Sequence, residues 1–98
     1  MSGRTRILLD VPIQPYAALG RAVRRRRRAL GLSQMALAER CDLDRTYLSG
    51  LERGRRNPTV QTVWVVAEGL GVRPSALVAL AESEVSEGGT SDEGDSEE

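Results

Sequence analysis

The 98-residue chain has no histidine, no phenylalanine and no lysine, and a single cysteine, Cys41. Without histidine and with one thiol, no cluster of the kind that holds a metal can be assembled. Catalysis is equally poorly served, because paired carboxylates occur only in the acidic tail. The reading is therefore no metal, no cofactor, no catalytic residue and no enzyme. A lone cysteine cannot close an internal disulfide, which fits a reducing cytoplasm, and Cys41 on an apolar stripe reads as a small core residue. No run approaches the ~20 apolar residues of a spanning helix, and no signal peptide is evident, so no membrane role is expected. Strand formers are not arranged in repeated alternating runs. The expected fold class is all-α, a compact bundle of about five short helices.

What is abundant is arginine, and its distribution is uneven. The formal charge is zero, with 14 basic and 14 acidic residues. All 14 arginines lie at or before Arg73 against six acids up to Ala81, a net +8, and the eight remaining acids follow from Glu82. A basic domain carrying an acidic tail points to a polyanionic partner. The boundaries read from this pattern are an arm at 1–14, a helical domain at 15–81 and a disordered acidic tail at 82–98.

Within the domain, a first helix begins at Pro15, with Leu19, Val23 and Leu30 on its buried face, and ends at Gly31. Arg26 falls on the same stripe and is expected to run its methylenes toward the edge. The run Arg24 to Arg28 spreads around a helical turn, so its members cannot share one purpose; Arg24 is assigned to phosphate. Ser33 caps a second helix bearing Leu37, Ala38 and Cys41. Asp42 and Leu43 break it, and Asp44 caps a third in which Leu48 and Leu51 face inward. Gly54 closes that helix. Thr59 caps a fourth with Val60, Val63, Val66, Ala67 and Leu70 as its core stripe, and Pro74 opens a fifth.

Two short helices joined by a tight turn form a helix-turn-helix. The arginines before Gly31, GLSQ at Gly31–Gln34, Leu37-Ala38, LSGLERG at Leu48–Gly54, NPT at Asn57–Thr59 and the closing Ala67…Leu70-Gly71-Val72 carry a resemblance to the phage repressor and Cro family, the XRE-like regulators. It extends from Leu19 to Leu80, and LDRTYLSGLERGRRNPT is similar to the controller proteins of restriction-modification systems. The resemblance implies a lambda repressor-like domain binding double-stranded DNA as a homodimer and regulating transcription as repressor or controller. With Leu48 and Leu51 inward, Arg45, Thr46 and Ser49 turn outward at the end of the helix that enters the major groove, and are the expected base contacts. Tyr47, Arg53, Arg55, Arg56 and Asn57 are expected on phosphates. Gln34 resembles the family's backbone-contacting residue, and Arg27 and Glu52 occupy the positions of an ion pair that ties the first helix to the recognition helix.

Trp64 and Val65 fall outside the fourth helix's core stripe, and Val78 and Ala81 overfill the inward face of the fifth. These four residues are the expected two-fold interface. The competing function is a protein-interaction module, such as an antitoxin or adaptor, in which Trp64 and the acidic tail bind a partner. The alternative for Trp64 is cover by the arm Met1–Gln14.

Overall fold

A computed structural model describes residues 15–86 of the chain. They form α1 (Pro15–Ala29), α2 (Gln34–Cys41), α3 (Arg45–Glu52), α4 (Val60–Gly69) and α5 (Pro74–Ser86), with no strand among the described residues. The all-α expectation holds. The arm at 1–14 and residues 87–98, and with them the readings placed there, lie outside the described residues.

α2, α3 and α4 each start where a side chain can take over an orphaned N–H. Ser33 Oγ accepts from Ala36 N at 3.0 Å, Asp44 Oδ1 from Thr46 N at 3.3 Å, and Thr59 Oγ1 from Thr62 N at 3.1 Å. Such caps contribute about 1 kcal/mol apiece, which matters in helices of only two turns. The α2–α3 turn is made without glycine. Asp42 takes the left-handed conformation at φ 58°, ψ 41°, one that aspartate tolerates better than most side chains. Its neighbour Leu43 then drops back against the core while its N–H donates to Ala38 O at 2.9 Å.

The core is shared by all five helices: Val23 from α1, Leu37 and Cys41 from α2, Leu48 and Leu51 from α3, Val66, Ala67 and Leu70 around α4, and Leu77 from α5. α1 packs chiefly on α5 and α3, and α2 bridges α3 to α4. The approach of α1 to the end of α3 depends on Gly20. A Cβ there would lie 2.5 Å from the carbonyl oxygens of both Leu51 and Glu52, backbone atoms that cannot move aside.

Three features of the sequence reading change. Leu30, expected on the buried face of α1, is 39% exposed because the helix ends at Ala29 and Leu30 lies in the turn before Gly31 at φ +74°. Val60, expected in the core stripe, is 71% exposed; it opens α4 one turn ahead of Val63, the first residue of the stripe to reach the core. α5 continues through Glu82 to Ser86, past the boundary drawn at residue 81. The reason is a charge clasp that composition conceals. Glu84 is buried, with Oε1 3.4 Å from Arg21 Nε and Oε2 3.1 Å from Arg25 Nε, so one acid of the tail anchors the last turn to α1.

Gly20→Ala tests the α1–α3 approach. Alanine would gain about 1 kcal/mol in helix propensity, yet forcing α1 off two fixed carbonyls should still leave a net loss of about 2 kcal/mol. A melting temperature lowered by ~10 °C is expected by circular dichroism; an unchanged one contradicts the close approach.

Candidate nucleic-acid interface

One buried carboxylate organises the α2–α3 unit. Glu52, at the end of α3, accepts from Arg27 Nε at 2.6 Å on one oxygen and from Arg27 Nη2 at 2.9 Å on the other. Arg27 also donates through Nη1 to Leu32 O at 2.9 Å, at the entrance to α2. Arg24 Nε stands 3.7 Å from Glu52 Oε1, and Gln34 Nε2 donates to that same oxygen at 2.9 Å. Arg27, Gln34 and Glu52 are all buried, and no buried side-chain polar atom among the described residues lacks a partner. A carboxylate and guanidinium taken from water need this full complement of hydrogen bonds.

Two residues expected on phosphates are thereby engaged within the protein. Gln34 is buried with its amide on Glu52, and Arg24 faces the same carboxylate. The cause is that Glu52 retains acceptor capacity after binding Arg27, and these are the donors nearest to it. Gln34 is not wholly withdrawn from the surface, because its Oε1 accepts from Arg45 Nη1 at 3.3 Å. With Nε2 fixed on the carboxylate, Oε1 is the atom left to face outward. The buried pair thus reaches the first residue of α3 through one amide.

Along α3, Leu48 and Leu51 are sealed in the core while Arg45 and Thr46 are exposed and Tyr47 and Ser49 half-buried. Arg53, Arg55, Arg56 and Asn57 follow, all exposed, in the loop after Glu52. Arginine and hydroxyl side chains are therefore presented along one helix face and the loop beyond it, a pattern suited to a polyanion with readable edges.

Two further arginines of the α1 run serve the fold. Arg25 holds Glu84, and Arg26 Nε donates to Leu70 O at 3.1 Å, satisfying a carbonyl at the end of α4. Arg40 does the same for Gly69 O at 3.1 Å. The expectation that Arg26 would lead its charge to the edge gives way to this capping bond, a role that helix periodicity does not announce. Cys41 is buried with Sγ 3.7 Å from Val65 O. Burial pushes its thiol pKa above the ordinary value, with Arg40 partly opposing the shift.

The four residues expected at a two-fold interface differ in exposure and do not all line one groove. Trp64 is 58% and Val78 47% exposed, whereas Val65 and Ala81 are half-buried against the monomer's own core. Val78 and Ala81 line an apolar groove of about 570 Å³ between the start of α1 and α5, together with Tyr16, Val63 and Val85. Trp64 does not line this groove.

A helix-turn-helix family description matches residues 23–77. The immunity repressor of Bacillus phage phi105 is 40% identical over 60 residues, which is 61% of this chain and 42% of that repressor, so the chain spans less than half of its length. The restriction-modification controller protein C.AhdI from Aeromonas hydrophila is 39% identical, with a TM-score of 0.62 over 63% of this chain and 94% of that one. The controller C.Esp1396I, solved as a tetramer on its natural 35 base-pair operator, is 30% identical, with a TM-score of 0.68 over 72% of this chain and 93% of that one.

Proposed function

The chain belongs to the helix-turn-helix family, and from that premise we propose that it is a sequence-specific DNA-binding transcription regulator that binds an operator as a homodimer, in the manner of restriction-modification controllers. The observation that carries this reading is α3: two leucines fix its orientation, and the opposite face and following loop carry Arg45, Thr46, Ser49, Arg53, Arg55 and Arg56 toward solvent. Arg45 is assigned to a guanine edge, with Thr46 and Ser49 beside it. Arg53, Arg55 and Asn57 are assigned to phosphates, where they set register and orientation. No catalytic role is assigned to any residue, and the site of action is the bacterial or phage-infected cytoplasm, on DNA.

One recognition helix of two turns spans only a few base pairs, so selective binding requires two half-sites about one helical turn apart. Val78, Leu80 and Val85 leave more apolar surface on α5 than a solitary domain needs, which supports a second copy as its cover. The protein-interaction reading retains Trp64, which lies away from that groove.

A mobility shift with duplexes selected from a random pool tests the assignment. Arg45→Ala should cost about 1–3 kcal/mol at one base pair and relax the preference there. Arg55→Ala should weaken all duplexes alike and flatten the salt dependence by about one unit. Full selectivity in Arg45→Ala would contradict the base-reading role.

Sedimentation of Val78→Glu and Trp64→Glu locates the two-fold face. Conversion to a folded monomer by Val78→Glu alone is expected if the α5 groove is the interface, and by Trp64→Glu alone if α4 supplies it. A dimer unchanged in both variants overturns both assignments.

A further inference from the structure

Gly50 lies in the middle of α3, where a glycine weakens a helix. It follows Thr46 by four residues and so shares the face turned away from Leu48 and Leu51. The backbone does not require glycine there, since Gly31, Gly54 and Gly71 are the glycines with positive φ among the described residues. A side chain occupies the space that a larger residue would take. A Cβ on Gly50 would stand 2.9 Å from Nε of Arg56, 3.3 Å from its Cγ and 3.6 Å from its Cδ.

Arg56 comes from the loop after α3, which is turned back by the bond from Arg55 N to Gly50 O at 2.9 Å. Its stem crosses Gly50, and its guanidinium carbon ends 5.4 Å from the centre of the Tyr47 ring, one turn nearer the N-terminus of the helix. Among the described residues no carboxylate pairs with it. An arginine serving phosphates beyond the helix would extend away from α3. This one is folded along the helix face, toward the half assigned to the groove, with its guanidinium carbon held over an aromatic ring and its N–H donors unspent.

We infer that Arg56 reads the major-groove edge of a guanine, with Gly50 admitting its stem to the outward face of α3 and Tyr47 holding its guanidinium. Holding the guanidinium over the ring limits the freedom of the planar fork before DNA arrives, so less is lost when two N–H groups bond O6 and N7. Cation–π attraction supplies the restraint while leaving those donors free. The inference rests on the reading of α3 as the DNA-facing helix, and it moves Arg56 from the phosphate-binding group to the base-reading group.

The test uses the full chain, a duplex selected by the parent from a random pool, and a scrambled duplex of equal length and composition at one salt concentration. Arg56→Ala should lose about ten- to hundredfold on the selected duplex, with only a small loss on the scrambled one. Arg56→Lys, which keeps the charge but not the fork, should not restore the preference. Gly50→Ala, whose methyl displaces the arginine stem, should lose selectivity with its melting temperature maintained, and should add nothing in an Arg56→Ala background. Replacing single guanines by 7-deazaguanine should reveal one N7 that matters to the parent and not to Arg56→Ala. Equal losses on both duplexes, with binding restored by lysine, would make Arg56 a phosphate contact and overturn the inference while leaving α3 as the reading helix. A parent that selects no duplex overturns both.

Discussion

Removing two opposite charges from water is costly, and the Arg27–Glu52 pair is the place where this domain does so. The pair sits where α1, the entrance to α2 and the end of α3 meet, and each element supplies a partner: the arginine, the Leu32 carbonyl with Gln34, and the carboxylate. The same junction holds a close helix approach, Gly20 against the last carbonyls of α3. Geometry at this point is therefore doubly constrained, by backbone contact and by charge. Through Gln34 the constraint extends to Arg45, so the orientation of an exposed side chain is coupled to a buried ion pair. A recognition surface gains from such support, because a side chain already restrained loses less freedom on binding.

Two populations stand out among the arginines. Arg21, Arg25, Arg26, Arg27 and Arg40 bind carboxylates or helix-end carbonyls within the monomer. Arg45, Arg53, Arg55 and Arg56 lie on or after α3 and are exposed. The net positive charge of the domain thus does not measure how many arginines face DNA. The first population holds the bundle together, including its last turn through Glu84. The second is the group proposed to supply the field and contacts for a polyanion.

The starts of α2, α3 and α4 were legible because Ser33, Asp44 and Thr59 are residue types whose side chains satisfy free N–H groups, placed just before apolar periodicity. The face of α3 was legible because Leu48 and Leu51 permit one orientation. What escaped were interactions between residues distant in sequence. Glu84 lies among tail acids, and nothing local distinguishes the one that folds back on Arg21. Gln34 has the type and position of a surface contact, and only the spare acceptor capacity of Glu52 draws its amide inward. Arg56 falls in a basic loop, where spacing alone could not show that it returns across Gly50. Gly20 gave a usable signal, since a glycine within a helix pattern often marks a close approach.

The dependence of the fold on the Arg27–Glu52 pair is tested most directly by a double-mutant cycle in urea. Arg27→Met or Glu52→Leu alone leaves a buried charge without its main partner and should cost about 3–5 kcal/mol. The double variant, which buries no unpaired charge at this position, should recover most of that loss, giving a large coupling energy. Single variants that each cost under about 1 kcal/mol, the range of exposed pairs, with losses that simply add, would contradict the account.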